Sequence, residues 1–543
     1  MSTTGHSARP TFASSWQADL LSGALVSLIA LPLCLGIALA SGYPAIAGIL
    51  TAIVGGLFTP LLSNSELTIK GPAAGLITVA LGAVTEFGFT LGQDPAADFQ
   101  AYRLALGVAV VAGIIQFCLG LLRAGILAEF FPTAAVHGLL AAIGVIIIAK
   151  QIPIVLGVSP AGKPLDLLAH IPGMLVGMNP IIGLIGLLSM AILAGYTLTA
   201  NRHLRKIPAS LIVLSVAVGL GLLFQLGTAR HYMFGGQEFP LGPDYLVKVP
   251  ANLASALVFP DFSALATVAG WKYVTMYVLI GSLETLLSAK AVDMLDPWKR
   301  RTDMNRDLMA IGLANTLAAL IGGLPMISEI VRSKANLDYG ARTRLANVSH
   351  GACLLLGVTL LPGLISLIPA AALGAMLVFT GYRLAAPSEF AKVYRVGREQ
   401  LIVFTATLVA VLATDLLSGI AIGIVVKLAS HVMHGAPAHA LVRPRIVVEG
   451  PRDGKAVLSI EHAAVFSVWI AVKRRIDRLG PLQELTLDLT HTRFVDHTVM
   501  EKLHQLEQEC EAKHCRLIVR GLERHHPNSA HPHAARRNLQ AVR

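Results

Sequence analysis

Residues 68–75 read Thr68-Ile69-Lys70-Gly71-Pro72-Ala73-Ala74-Gly75, and residues 322–333 read Gly322-Gly323-Leu324-Pro325-Met326-Ile327-Ser328-Glu329-Ile330-Val331-Arg332-Ser333. In both, glycine and proline stand where an apolar segment begins, and the apolar run that follows is too short to cross a bilayer alone. Working outward, apolar segments begin near Leu20, Tyr43, Ala73, Ala101, Ile126, Pro180 and Pro208, and again near Trp271, Asp307, Met326, Leu345, Ile365, Gln400 and Leu416. Each interrupted stretch is third in its set of seven. Short, Gly/Pro-interrupted segments at matching places in two halves point to an inverted-repeat transporter with its site near the bilayer midplane. The fold class expected is therefore an α-helical polytopic membrane protein.

Composition supports this and excludes most else. The 543 residues are 54% hydrophobic and only 14% charged, with mean hydropathy +0.66. Soluble domains carry about 25% charged residues. No charge falls between Asp19 and Glu66, between Arg103 and Arg123, or between Lys206 and Arg230. A soluble enzyme, a disordered scaffold and a secreted disulfide protein are excluded. The net charge of +11 reads as Lys and Arg on cytoplasmic loops rather than as a nucleic-acid surface.

Orientation follows from those cations. With residues 1–18 as a cytoplasmic tail, the inner loops carry Arg202, Arg205 and Lys206, then Lys299, Arg300, Arg301 and Arg306, then Arg383, Lys392, Arg395 and Arg398. No signal peptide pattern precedes the first span, which is expected to serve as its own insertion signal. The membrane domain is expected over residues 19–435, and fourteen segments return the C-terminus to the cytoplasm, so the protein is placed in the cell (inner) membrane. Residues 436–523 read as a small α/β domain, with alternating strands at 456–460 and 485–489, another strand at 516–520, and helical spacing over 465–479 and 499–512. Residues 524–543, with His525, His526, His531 and His533, show no apolar periodicity and are expected to be a disordered tail rather than a metal site. Cys34, Cys118 and Cys353 sit in apolar segments as buried thiols, and the pair Cys510 and Cys515 is a weak metal signal.

A half-helix that starts at mid-membrane exposes unpaired N–H groups and about half a positive charge. Two such ends facing one another form an anion site without a dedicated cation. Ala73, Ala74 and Gly75 would line one side, with side chains small enough for an anion to reach the backbone, and Ile327, Ser328 and Glu329 the other. The alternative is that the prolines merely kink continuous helices. Glu284 lies in an apolar stretch where an ionised carboxylate is expensive and usually functional, so proton uptake is its expected role, with Ser288 one turn on. A packing role, paired with Lys290 or Arg332, is the alternative. Arg332 would raise anion affinity or clamp an oxyanion bidentately, or else snorkel to the inner face.

The stretches Leu31-Pro32-Leu33-Cys34-Leu35-Gly36-Ile37-Ala38-Leu39-Ala40-Ser41-Gly42, Gly71-Pro72-Ala73-Ala74-Gly75, Gly281-Ser282-Leu283-Glu284-Thr285-Leu286-Leu287-Ser288-Ala289-Lys290 and Leu324 to Ser333 together resemble the SulP sulfate-permease family. Leu487-Asp488-Leu489-Thr490-His491-Thr492-Arg493-Phe494-Val495-Asp496 resembles part of a STAS domain. The resemblance implies fourteen transmembrane segments in two inverted repeats of seven, divided into core and gate, with elevator-like alternating access. It implies an acidic coupling residue at Glu284, for H+ or Na+, and a basic residue at Arg332. Two positions depart from the pattern: Glu329 puts a carboxylate beside an anion site, and Leu33 stands where many relatives are polar. The dry first span looks like the branch associated with carbonic anhydrases and tilts the expected substrate from sulfate towards bicarbonate, with dicarboxylates behind. STAS antagonists carry a phosphorylatable Ser after the residue matching Asp496; His497 stands there, followed by Thr498, so the tail reads as a packing and dimerisation module.

The expected function is secondary active transport of a small inorganic oxyanion by a non-enzyme. The only cofactor would be a co-transported H+ or Na+, and the partners a bilayer, a second copy and a possible carbonic anhydrase. The readings set against it are an uncoupled anion channel or exchanger on the same fold, a nucleobase permease, and a membrane anchor that recruits a soluble enzyme.

Overall fold

The computed structural model describes residues 10, 12–129, 131–158, 162–199, 207–250, 252–512 and 514–538. Arg202, Arg205 and Lys206 lie outside them. The first set of seven is α1 (Phe12–Ala40), α2 (Ala45–Leu62), the broken segment β1 (Ile69–Pro72) with α3 (Ile77–Glu86), then α4 (Pro95–Leu121), α5 (Thr133–Leu156), α8 (Pro180–Leu198) and α9 (Ala209–Leu223). Two short helices, α6 (Pro164–Ala169) and α7 (Ile171–Val176), stand between α5 and α8, and β2 (Arg230–Phe234) and β3 (Gln237–Leu241) form a hairpin after α9. Gly235 and Gly236 turn that hairpin, both at positive φ (59° and 81°); the sequence reading passed over it.

The second set is α10 (Val268–Leu295), α11 (Met304–Leu320), β4 (Met326–Glu329) with α12 (Ile330–Asp338), α13 (Leu345–Leu360), α15 (Ala370–Leu384), α17 (Arg398–Ala413) and α18 (Leu416–Met433), with α14 (Pro362–Ile365) and α16 (Pro387–Val396) as short connectors. These are the fourteen segments in two sets of seven that hydropathy and breakers predict. Among the described residues, seven helical stretches are long and apolar enough to cross a membrane unaided, one of them the run Ala370–Val396 made by α15 and α16 together; the other helices are shorter or carry the polar residues described below.

By packing, the chain divides into two compact units, Met1–Gly125 with Ile143–Arg383, and Ile126–Ala142 with Leu384–Arg543. The boundary expected at residue 435 therefore falls inside the second unit. In the first unit the repeats interlock reciprocally. The second helix of each set packs on the fourth of the other, α2 on α13 and α11 on α4, and the first does the same, α1 on α13 and α10 on α4. Small residues permit it: a Cβ on Gly56 would lie 2.6 Å from Gly351 Cα, and one on Gly113 2.8 Å from Gly312 O.

The second unit holds α19 (Ala438–Val442) and the α/β part: β5 (Arg445–Arg452), β6 (Lys455–Ala464), α20 (Phe466–Arg478), β7 (Glu484–Asp488), β8 (Thr492–Val495), α21 (His497–Ala512), β9 (Arg516–Arg520), β10 (His526–Pro527) and β11 (Arg536–Arg537). Long β6 is central. It pairs parallel with β7 through its first half and with β8 through its last residues, while β5 runs antiparallel to it. Leu458, Ile460, Leu485, Leu487, Val468 and Val499 build the core between sheet and helices. The stretch from 524 is a correction to the expected disordered tail: β10 pairs with β11, β11 adds to β8, and the structure describes it to Asn538. Its anchor is a buried histidine, His525, whose Nδ1 is 2.9 Å from Gly521 O and Nε2 2.8 Å from Thr492 O. An anchor made by imidazole and backbone carbonyls leaves no apolar periodicity to read.

Candidate anion site

The two interrupted segments meet. β1 and β4 run antiparallel, with Ile69 opposite Glu329, Lys70 opposite Ser328, Gly71 opposite Ile327 and Pro72 opposite Met326. The residue before a proline is driven to extended backbone, and two extended backbones can satisfy one another where water is absent. Helix then resumes on each side. On the first, Leu76 N–H bonds Ala73 O at 3.2 Å, so the N–H groups of Ala74 and Gly75 precede the first intrahelical bond. On the second, Glu329 precedes α12 without capping it by its side chain. Both helix starts carry the partial positive charge of an open N-terminus.

A buried polar frame holds this crossing. Lys70 Nζ donates to Asp307 Oδ1 at 2.5 Å and to Ser328 Oγ at 2.8 Å; Ser328 Oγ donates to Asp307 Oδ2 at 3.1 Å, and Ser63 Oγ to Asp307 Oδ1 at 2.5 Å. Asn315 brackets β4, accepting Met326 N–H at 2.7 Å while its Nδ2 donates to Gln116 Oε1 at 2.7 Å. Ser333 Oγ accepts Ile69 N–H at 2.8 Å, and Asn336 Nδ2 donates to Leu67 O at 3.1 Å. The sequence reading missed Lys70, Asp307 and Asn315 as partners, although a lysine and an aspartate in membrane segments are signals in themselves. It placed Ser328 at the anion; the hydroxyl is instead engaged by Lys70 and Asp307.

Around the helix starts, Arg332 is buried and donates from Nη2 to Pro72 O at 3.0 Å and from Nη1 to Cys34 Sγ at 3.5 Å. Both acceptors are neutral, and no carboxylate among the described residues lies within ion-pairing distance, so the guanidinium keeps its charge facing the crossing. This is not the snorkelling alternative. Gly71 makes room for it: a Cβ there would lie 2.5 Å from Nη1. Glu284, from α10, places its carboxylate over Gly75, where a Cβ would lie 1.9 Å from Oε1 and 2.3 Å from Oε2. Oε1 is buried with no hydrogen-bond partner, and the Arg332 guanidinium donates elsewhere, to Pro72 O and Cys34 Sγ. Ser288 is half-buried one turn on, Ala73 and Ile327 are buried, and Ala74 and Glu329 are half-buried. His350 on α13 is fully buried, with neither ring nitrogen bonded; nothing in its apolar context singled it out.

The contact at Gly75 is testable. Gly75→Ala should displace the Glu284 carboxylate or the helix start, at a cost of about 1–3 kcal/mol, and lower anion uptake about tenfold or more in reconstituted vesicles, with little loss of folded yield. Unchanged uptake would mean that Glu284 does not sit on Gly75 during transport.

In the second unit, Asp496 is fully buried and accepts from Phe466 N–H at 3.1 Å and Val499 N–H at 2.8 Å. His431 Nε2, at the end of α18, lies 3.1 Å from Asp496 Oδ2. Thr498 is buried, so a phosphoryl donor could not reach it without opening the domain. Next to it, His497 pairs with Glu501 at 3.3 Å and Glu501 accepts from Thr133 Oγ1 at 2.7 Å.

Residues 16–407 match the model of the sulfate permease family. "Sodium-independent sulfate anion transporter" of Bos taurus is 25% identical over 542 residues, covering 94% of this chain and 85% of its own. "Bicarbonate transporter BicA" of Picosynechococcus sp. is 23% identical over 413 residues, covering 76% and 69%. The solved transmembrane domain of a cyanobacterium bicarbonate transporter BicA superposes with a TM-score of 0.62 at 23% identity, covering 76% of this chain and 98% of that one. The C-terminal sheet is consistent with a STAS domain. The reciprocal packing of the two repeats in the first unit, the paired half-helix starts and a family match across most of its length together place this integral membrane protein in the sulfate permease family, among relatives that are anion transporters.

Proposed function

We propose that the chain is a secondary active transporter of a small inorganic oxyanion, bicarbonate in preference to sulfate, working by elevator-type alternating access and coupled to H+ or Na+ through Glu284. The observation that carries this reading is the position of the Glu284 carboxylate over Gly75, at the helix start an anion would use. Two like charges about 4 Å apart cost on the order of 4 kcal/mol at an effective dielectric of 20, close to a thousandfold in affinity. An anion therefore binds there only once the charge on Glu284 is neutralised by a proton or a bound cation, which is the logic of symport. Arg332, whose guanidinium hydrogen-bonds only to neutral acceptors, supplies the attraction. Leu33 lies among apolar side chains, and a dry site with one guanidinium suits a monoanion, whose desolvation cost is far below that of a dianion.

Proteoliposomes loaded with radiolabelled bicarbonate or sulfate under imposed proton or sodium gradients test this. The wild type should accumulate bicarbonate against its gradient, and Glu284→Gln should still equilibrate it while losing gradient-driven accumulation. Equal coupling in the variant would remove Glu284 from the mechanism. Current uncoupled from any second ion would favour the channel reading.

A further inference from the structure

The C-terminal end of α21 closes in a way that brings two cysteines together. Cys515 N–H bonds Cys510 O at 2.8 Å, enclosing a bond from His514 N–H to Glu511 O at 3.1 Å, and His514 is left-handed at φ 57°. This nested pair with a left-handed residue is a Schellman closure, in which the side chains at the two outer positions meet. Those positions are Cys510, buried on the core side of α21, and Cys515, half-buried at the start of β9. Both thiols are free, and the two are electrostatic neighbours. A backbone bond of that length between residues in this closure holds the Cα atoms within the range a disulfide needs. We infer that Cys510 and Cys515 form a redox modification site, a vicinal dithiol that a peroxide or a low-molecular-weight disulfide converts to an intrachain disulfide.

The order of events follows from access. Half-exposed Cys515 meets the oxidant first. With a peroxide, its thiolate attacks one oxygen, the O–O bond breaks, hydroxide leaves, and Cys515 becomes a sulfenic acid. Cys510 sulfur then attacks that sulfur, the S–O bond breaks, water is lost with the Cys510 proton, and the S–S bond forms. With a low-molecular-weight disulfide, Cys515 forms a mixed disulfide, Cys510 displaces the second small thiol, and two reduced small thiols are released. Burial pushes the Cys510 thiol up to about 11, which suits it to resolve rather than to initiate. The same helix carries Glu501, bonded to Thr133 of α5, one turn from its start, so the link fixes the far end of an element that touches the membrane helices.

The full-length protein in detergent, treated with hydrogen peroxide or glutathione disulfide, alkylated and digested with trypsin, tests the site. Cleavage after Lys502, Lys513 and Arg516 puts the two cysteines on separate peptides. The expected result is those two peptides joined, at their summed mass less two hydrogens, and separated again by dithiothreitol. In Cys515→Ser the joined species should be absent and Cys510 should be recovered as the alkylated thiol. Recovery from the oxidised wild type of both cysteines as separate alkylated or singly glutathionylated peptides would overturn the proposal.

Discussion

Lys70→Ala is expected to abolish folded protein in detergent extracts, seen as loss of the monodisperse peak in size-exclusion chromatography. The lysine ammonium is the cation of a fully buried frame whose anion is Asp307, itself inaccessible to solvent. Removing one partner leaves an uncompensated buried carboxylate, at about 3–5 kcal/mol, a large share of the total stability of a domain. The damage is also misplaced for repair, because Lys70 belongs to β1, Ser328 to β4 and Asp307 to α11, so the frame joins the two repeats where their strands cross. Lys70→Met with Asp307→Leu should recover much of the yield, because two apolar groups leave no orphan charge, though with the strands less well registered and uptake still impaired. If Lys70→Ala alone purified normally with an unchanged melting temperature, the pair would be ornamental and the crossing would be held by backbone pairing alone.

The contrast between what was legible beforehand and what was not follows from the physics of the elements concerned. The fourteen segments and the paired breaks were open to reading because hydropathy and proline act locally, and each leaves its mark in the residues that carry it. That β1 and β4 pair with one another was hidden, since no period-2 pattern distinguishes a four-residue strand flanked by helix. Arg332 stands out by its place after the second break, where the resembling family carries a basic residue, and Glu284 by its expense in lipid. Lys70 and Asp307 carry the same mark, but they stand at segment edges, where a charge reads as a boundary. Ser328 was assigned by position in the motif, whereas its hydroxyl answers to a lysine one strand away. The tail after 524 was misjudged because its order rests on His525 and on backbone pairing to β8 rather than on an apolar face.

Asp496→Asn should lower the melting temperature of the full-length protein at pH 7 and flatten its acid dependence. Burial pushes the Asp496 carboxyl up, but the Lys427 ammonium and the His431 ring outweigh it and hold the group well below the usual carboxylate range. Lys427, also buried, donates to Gln400 Oε1 at 2.8 Å, a neutral acceptor that leaves its charge dependent on Asp496. The asparagine strips away that compensation and offers one oxygen to two backbone donors, Phe466 N–H and Val499 N–H, for a cost of about 3–5 kcal/mol. The pH window has a definite sign. The folded carboxyl titrates below its unfolded value of about 3.9, so the folded state binds fewer protons than the unfolded one between the two values. The contribution of Asp496 is complete above the unfolded value and drains away as pH falls towards the folded one. Melting curves of wild type and variant should therefore lie far apart from about pH 5 upwards and converge below about pH 4. His497 works in the opposite sense: burial pushes it down, Glu501 more than restores it, and its raised value means its share is full in acid and lost as pH rises. Curves that coincide at pH 7, or that stay equally far apart as the pH falls well below about 4, would deny the ionised Asp496 its part in holding α18 to the sheet.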